Sequence, residues 1–149
     1  MLHLLRTNSE HVDFRKLIVL LDQDLKEKDG DDHAFFSQFN KVDTIHHVIV
    51  AYQGDSAVGC GAIKKYDAVT AEIKRMFVHP DYRGQGIAKS ILNDLEKWAF
   101  ELGFSYCILE TGKKQVDAIA LYKKCNYKMI PNYGQYIDVD SSICMSKKI

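Results

Sequence analysis

Apolar residues are spaced differently in the two parts of the chain, and the change occurs near Ile45. Before it, apolar positions three or four residues apart predict a helix that ends near residue 28 and is capped at its start by Asn8 or Ser9. These positions are Phe14, Leu17, Ile18, Leu21 and Leu25. The other segments predicted in this part are a short strand (2–6), a charged break (28–33) and a short aromatic segment (34–39).

From Ile45 onward, the pattern predicts six strands and two further helices. The predicted strands are 45–52, 57–66, 69–78, 106–110, 127–130 and 143–148. The clearest helix follows Pro80 and ends at a glycine stop, Gly103. Its apolar stripe is Ile87, Ile91, Leu95, Trp98 and Leu102. A second helix is predicted over 115–124. Short turns join the first three of these strands, so we predict that they pair antiparallel. A helix joins the third strand to the fourth, which predicts a parallel crossover. The predicted fold is therefore α+β, around one mixed sheet.

The composition is that of an ordinary globular protein. The chain has 149 residues, 46% of them hydrophobic and 27% charged, which predicts one domain over residues 1–149 and excludes a disordered or fibrous chain. Twenty Lys+Arg balance twenty Asp+Glu, so the basic excess of a general nucleic-acid or membrane-surface binder is missing. The N-terminus has no signal-peptide pattern, and no apolar run could span a bilayer, which favours a cytoplasmic protein. The four cysteines form no C-x-x-C pair, so no metal site is expected.

A glycine-containing loop between the strand ending at Val78 and the long helix is the segment most indicative of chemistry. Residues 83–88 read Arg-Gly-Gln-Gly-Ile-Ala. Glycines allow a ligand to approach the backbone, and the free N–H groups at a helix start favour a phosphate or pyrophosphate, toward which Arg83 and Lys89 add positive charge. A plain helix-entry loop is the alternative. The Walker pattern is absent, and the dinucleotide fingerprint would need Gly or Ala where Lys89 stands.

Three segments together resemble the GNAT superfamily of acyl-CoA-dependent N-acyltransferases. Residues 83–88 are similar to the family's pyrophosphate loop, 71–80 to its fourth strand with a V-x-P ending, and 118–124 to its A-x-x-L-Y-x-K segment. The resemblance implies a single-domain α+β fold, with a mixed, mostly antiparallel sheet of about six or seven strands flanked by about four helices. Two positions depart from the family pattern. Gln115 stands for the usual Asn but can still donate an amide hydrogen bond, and Asn126 stands for the usual Gly but tolerates a left-handed backbone.

The resemblance also implies acetyl-CoA as cosubstrate, without a metal. Backbone N–H groups of Phe77 and Val78 would hold the acyl carbonyl or the pantetheine arm. The implied CoA-binding positions are Met76, Phe77, Val78, Arg83, Gly84, Gln85, Gly86, Ile87, Ala88, Lys89, Gln115, Tyr122 and Lys124. Residues 113–128 hold five lysines against one aspartate, a basic cluster that suits the phosphates of CoA.

Two side chains are implied as catalytic. Tyr122 is the candidate acid for the departing CoA thiolate, although helix spacing alone would make it a core aromatic. Glu72 is the first candidate for the general base, directly or through water; the alternative is a solvent-facing strand residue paired with Lys74 or Lys65. The weaker candidates for the base are Glu110 and His79. Many family members instead use water chains with no single base.

The acceptor side is expected to include Glu72, Glu110, Tyr133 and Tyr136. The two tyrosines lie in the loop between the last two strands, which borders the acceptor pocket in the family; a hydrophobic plug over the sheet end is the alternative. Residues 22–32 contain six acids against two lysines. These acids indicate a cationic amine if they face the acceptor, and an ordinary solvated helix end if they do not.

The sequence therefore predicts an N-acetyltransferase that moves an acetyl group from acetyl-CoA directly to a primary amine in a ternary complex. A covalent acyl-enzyme is disfavoured because no cysteine lies in a nucleophile motif. The alternative is a non-catalytic acyl-CoA-binding sensor or interaction module, against which Tyr122 and the intact glycine loop weigh. The acceptor, a small molecule or a peptide, is left open, and a homodimer is compatible with the sequence.

Overall fold

The computed structural model describes residues 1–29 and 44–149, which form one sheet with helices on both faces. The strands among these residues are β1 (Leu2–Thr7), β2 (His47–Gln53), β3 (Ser56–Lys65), β4 (Thr70–Val78), β5 (Tyr106–Gly112), β6 (Lys128–Ile130) and β7 (Ser142–Lys148). The helices are α1 (Val12–Asp29), α2 (Ile87–Glu101) and α3 (Val116–Lys124), with 3₁₀ turns at Pro80–Tyr82 and Gly134–Tyr136. The predicted aromatic segment 34–39 and most of the predicted break 28–33 lie outside the described residues.

The strand order is β1-β2-β3-β4-β5-β7-β6. Neighbouring strands are antiparallel except β4 and β5, which are parallel and joined through α2. The mixed, mostly antiparallel sheet is thus confirmed with seven strands, and three of the roughly four expected helices lie in the described residues. Each predicted strand from 45 onward is present, with ends shifted by at most two residues.

Both faces of the sheet are covered, and this explains the continuous apolar runs in its strands. In β2, Val48 and Val50 face α1, whereas Ile49 and Ala51 face α2 and α3. Successive strand residues point to opposite faces, so a strand buried on both sides needs apolar residues at every position. The fold therefore consists of three layers, with separate cores above and below the sheet.

The start of α1 differs from the prediction. His11, rather than Asn8 or Ser9, caps the helix: its Nδ1 accepts a hydrogen bond from the backbone N–H of Asp13 at 3.2 Å. The Ser9 hydroxyl instead accepts from the N–H of Ile45 at 2.9 Å, just before β2. A buried serine that satisfies a distant backbone group is not free to cap its own helix.

Two general properties are also clear from the described residues. None of their helices combines the length and the apolar character needed to cross a membrane. All four cysteines are buried and unpaired, which is typical of cysteines that pack as small apolar residues.

Candidate active site

A cleft opens in the middle of the sheet because β4 and β5 separate soon after they begin. The two strands pair only from Thr70 to Glu72 on β4 and from Tyr106 to Ile108 on β5. Beyond these positions, β4 and β5 no longer pair with each other. The opening, about 90 Å³, is closed on one side by Leu21 and Leu25 of α1 and on another by α3.

A β-bulge bends β4 directly after the paired segment. The pairing with β3 shifts register between Cys60 and Ala62, and Arg75, opposite this shift, has a φ of +60°. The Cys60 thiol donates to the Arg75 carbonyl at 3.3 Å, and the Arg75 guanidinium lies 3.9 Å from Asp22 of α1. This bulge was not predicted, because arginine has no preference for a left-handed backbone and nothing nearby marks the position.

The backbone of β4 beyond the bulge has polar groups that face the cleft. His79 N–H donates to the Val58 carbonyl of β3 at 2.7 Å. Because directions alternate along a regular strand, Phe77 N–H also points toward β3, and Val78 N–H points toward the cleft. Strand geometry therefore favours the N–H of Val78 as a donor available to a ligand, whereas Met76 lies within the bulge, where the alternation is interrupted.

The glycine loop leads into α2 with two left-handed residues. Gly84 and Gly86 both have φ +78°, and Gly86 precedes the first helical residue. The first N–H that bonds back within the helix belongs to Ser90, which donates to the Gly86 carbonyl at 3.1 Å. The preceding N–H groups, those of residues 87–89, are left for a ligand or water. The predicted phosphate-binding helix start has the required backbone arrangement.

Arg83 links this loop to the rest of the site. Its Nε donates to the Val78 carbonyl at 2.9 Å, its guanidinium carbon lies 5.6 Å from the centre of the Phe77 ring, and its Nη2 lies 3.5 Å from Asp24 of α1. The arginine thus fastens the loop to the end of β4 and to α1. Gln85 and Lys89, which lie on either side of Gly86 in the sequence, are exposed.

Tyr122 is both a core residue and a wall of the cleft. It is 7% exposed, its ring packs edge-on against Tyr127 at 5.8 Å, and it lines the cleft opposite β4. Burial, and then the nearby Cys125 and Glu110, raise the pKa of Tyr122 above its ordinary value, so the hydroxyl is protonated at neutral pH. Both interpretations of this tyrosine are therefore compatible with its position.

Glu72 lies at the point where β4 and β5 separate and is 9% exposed. Its Oε1 lies 3.6 Å from Nζ of Lys74, and its Oε2 accepts a hydrogen bond of 2.6 Å from the Tyr133 hydroxyl. The pairing with Lys74 was predicted, whereas the bond to Tyr133 was not. The residue opposite Glu72 on β3 is Lys64. Glu72 is thus a buried carboxylate in a polar environment, not a solvent-facing one.

The other expected acceptor residues separate into two groups. Glu110 and Tyr136 line the cleft, and Glu110 accepts a 2.7 Å hydrogen bond from the Ser142 hydroxyl. Burial, then Glu110 and Glu72, raise the pKa of Tyr136. Tyr133 lies behind Glu72 rather than on the cleft wall, with its ring 5.8 Å from that of Tyr136.

Several predicted site residues lie away from the cleft. His79 accepts a 3.1 Å hydrogen bond from the N–H of Asp81 and caps a 3₁₀ turn, so it is poorly placed to act as a base. Lys124 lies at the exposed end of α3, and with it four other exposed lysines form the basic cluster. The cluster is Lys113, Lys114, Lys123, Lys124 and Lys128. The predicted residues on the cleft wall are Glu72, Met76, Glu110, Gln115, Tyr122 and Tyr136.

The acids of residues 22–32 that the structure describes are largely paired. Asp22 lies near Arg75, and Asp24 lies 3.1 Å from Lys28 and 3.5 Å from Arg83. Asp31 and Asp32 lie outside the described residues. In residues 1–29 and 44–149, no three His, Cys, Asp or Glu side chains are grouped so that they could hold a metal ion.

A buried polar network behind Tyr122 was missed from the sequence. Glu96 of α2 accepts hydrogen bonds from the Tyr127 hydroxyl at 2.8 Å and from Lys147 Nζ at 2.7 Å. Glu96 occupies a helix face that is otherwise apolar, and this position in the sequence could have indicated a buried charge that needs partners. The network holds Tyr127 against the ring of Tyr122.

Comparisons with known proteins agree with this geometry. The sequence model of the acetyltransferase (GNAT) family matches residues 13–127. A protein of Azospirillum brasilense described as an IAA acetyltransferase is 37% identical over 68% of this chain and 67% of its own length. The crystal structure of a putative acyl-CoA N-acyltransferase from Klebsiella pneumoniae has a TM-score of 0.82 and 26% identity, and the match covers 99% of this chain and 97% of that one. A GNAT family acetyltransferase from Elizabethkingia anophelis with acetyl-CoA bound shares the fold at a TM-score of 0.70 and 16% identity, over 99% and 98% of the two chains.

Proposed function

The chain belongs to the GNAT family of acetyltransferases, and from this premise we propose that it transfers the acetyl group of acetyl-CoA directly to a primary amine. The observation that carries this proposal is the cleft between β4 and β5, together with the glycine loop that Arg83 joins to the end of β4. Tyr122 and Glu72 stand on its walls. One opening thus joins an anion-binding backbone, a hydroxyl donor and a carboxylate.

The residues around the mouth of the cleft suit acetyl-CoA. Backbone N–H groups at the start of α2 would hold the pyrophosphate. The exposed lysines of residues 113–128, the segment that also contributes Gln115 and Tyr122 to the cleft wall, would attract the phosphates of CoA. The N–H of Val78 would bind the pantetheine arm or the thioester carbonyl, because a free strand edge offers donors that must otherwise be satisfied by water. The same fold binds acetyl-CoA in the Elizabethkingia anophelis protein.

The reaction forms a C–N bond and breaks a C–S bond, and two protons must move. The acceptor ammonium loses one proton to Glu72, directly or through water, and its nitrogen then attacks the thioester carbon. The CoA thiolate leaves with a hydrogen bond from the Tyr122 hydroxyl. The second proton, on the nitrogen of the tetrahedral intermediate, passes through water to the departing sulfur, so that the products are the acetylated amine and the CoA thiol. Because the raised pKa of Tyr122 lies above the pKa of a thiol, about 8.5, this hydroxyl stabilises the departing sulfur more readily than it gives up its proton.

The acceptor must present a primary amine to the carboxylates of Glu72 and Glu110. Leu21 and Leu25 provide an apolar wall beside them, and Lys74 lies next to Glu72. Small amines, amino acids, amine antibiotics and peptides all meet this minimum. The Azospirillum brasilense relative is described as an IAA acetyltransferase, so IAA belongs in the panel as well.

The test is release of free CoA from acetyl-CoA against a panel of these amine classes, with the product identified by mass spectrometry. We expect at least one class to give amine-dependent CoA release and a product heavier by one acetyl group. Glu72→Gln should lower kcat without weakening acetyl-CoA binding. Tight binding of acetyl-CoA with no turnover for any class would instead favour the non-catalytic acyl-CoA-binding module.

A further inference from the structure

The carboxylate of Glu72 is held from behind by a residue of a distant loop. The Tyr133 hydroxyl donates to Oε2 of Glu72 at 2.6 Å, across 61 positions of sequence. Glu72 lines the cleft, and Tyr133 does not. The contact therefore joins the loop between β6 and β7 to the point where β4 and β5 separate.

The ring of Tyr133 is fixed by two other tyrosines. Tyr66, in the turn between β3 and β4, packs edge-on at a centroid distance of 5.2 Å, and Tyr136 packs edge-on at 5.8 Å. Edge-to-face contacts of this kind stabilise one ring orientation. Burial, and next the charge of Glu72, also raise the pKa of Tyr133, so its hydroxyl stays a donor at neutral pH.

We propose that Tyr133 is a positioning residue that sets the orientation of the Glu72 carboxylate for proton abstraction from the acceptor amine. The proposal rests on the proposed function, in which Glu72 is the base. A carboxylate that is free to rotate about the bond to its side chain can present either oxygen to the cleft. The Tyr133 bond occupies Oε2 and directs Oε1 toward the side of Lys74, 3.6 Å away. Oε2 is thus held by Tyr133, and Oε1, which faces Lys74, is the atom that would take the proton of the acceptor amine.

The role differs from direct contact with the acceptor and has a distinct kinetic consequence. Misplacement of a catalytic group by about 1 Å can lower a rate by about 100-fold, and loss of one orienting hydrogen bond should have a smaller effect. Tyr133→Phe keeps the ring and its packing but removes the donor. We expect kcat to fall about tenfold, with the KM for acetyl-CoA changed less than twofold because the glycine loop is untouched.

The experiment is a double-mutant cycle on the full chain with the best amine of the panel. The variants are Tyr133→Phe, Glu72→Gln and the two combined. Tyr66→Phe is the matched control, because it also removes one phenol hydroxyl from the same ring cluster but from a side chain that is 47% exposed and does not bond Glu72. Thermal unfolding and acetyl-CoA affinity of each variant establish that it is folded. Tyr66→Phe should keep the wild-type kcat, and Tyr133→Phe should have no further effect once Glu72 is Gln.

Three outcomes would overturn the proposal. If Tyr133→Phe lowers kcat by the same factor in the Glu72→Gln background, Tyr133 acts independently of Glu72. If it raises the KM for the amine with kcat unchanged, it binds the acceptor directly. If Glu72→Gln keeps full kcat, Glu72 is not the base and needs no positioning, although the chain remains an acetyltransferase. Absence of acetylation by the wild-type protein would be the separate failure of the proposed function.

Discussion

Replacing Gly86 by alanine tests whether the backbone at the start of α2 is the CoA-binding element. Gly86 has φ +78°, and a Cβ placed on it would meet no atom within 4 Å. The substitution is therefore strained by the backbone and not by packing, at a cost of about 1–2 kcal/mol. Gly54, in the turn between β2 and β3, has φ +59° and equally open surroundings. Gly54→Ala is thus a control with the same kind of strain outside the glycine loop.

The two variants should lose similar stability and differ in ligand binding. For a chain of about 150 residues, 1 kcal/mol corresponds to about 2–4 °C in Tm, so both should melt about 2–8 °C lower. Relaxation of Gly86→Ala toward negative φ would turn the N–H groups of Ile87 and Ala88 away from the pyrophosphate. Each hydrogen bond to a charged group contributes about 1.5–3 kcal/mol. Losing one would raise the Kd for acetyl-CoA at least about tenfold.

Isothermal titration calorimetry with acetyl-CoA, together with thermal melts, would measure both quantities. Gly54→Ala should bind acetyl-CoA as the wild-type protein does. If Gly86→Ala melted lower but kept the wild-type Kd, the N–H groups at the start of α2 would not hold the ligand. If Gly54→Ala weakened binding equally, the effect would come from global destabilisation and not from the loop.

Four further predictions concern single side chains. Tyr122→Phe should lower kcat by about 100-fold with little change in acetyl-CoA affinity, and equal losses in kcat and affinity would make the ring purely structural. Lys147→Met should destabilise the fold by about 3 kcal/mol in urea unfolding, because Glu96 would remain as a buried charge, and Glu96→Gln added to it should recover part of the loss. Asn126→Gly should leave Tm unchanged or slightly higher, since Asn126 has φ +74°, whereas Asn126→Ala should lower it. Burial, and then a hydrogen bond to α1, raise the pKa of Tyr52 to about 12, so its contribution to stability should be complete below about pH 10 and lost between pH 10 and 12; the same pH dependence in Tyr52→Phe would contradict this.

The strands and helices could be predicted because each carries a local signal. Val48 to Ala51 are apolar at every position, as a strand buried on both faces must be, and the stripe of α2 has helical spacing. Asn126 was predicted to adopt a left-handed backbone and does so. The cap of α1 was predicted wrongly, because Ser9 has the right chemistry for a cap but is used by Ile45, 36 residues away. Local chemistry does not show which of two partners a polar side chain bonds.

The glycine loop of the candidate site could be predicted because its function depends on the backbone. Gly84 and Gly86 mark the loop directly, because their φ values exclude most other residues. The contacts of Glu72 could be predicted only in part. Lys74 is two positions away in the sequence, whereas Tyr133 is distant in sequence and only the fold brings it to Glu72. The composition shows that acidic and basic residues are equal in number. It does not show that Asp24 lies beside Arg83, because the fold alone brings these two residues together.

The position of the cleft follows from which strand pairs are longest. β5 pairs with antiparallel β7 from Tyr106 to Gly112, and β4 pairs with antiparallel β3 as far as Val78. Antiparallel pairing is slightly more stable per residue than parallel pairing, so each strand follows its antiparallel neighbour and the parallel pair ends after three residues. The bulge at Arg75 bends β4 at this point. The strand edges left bare must bond water or a ligand, and for this reason the donor proposed to hold the thioester lies where the sheet cannot satisfy its own backbone.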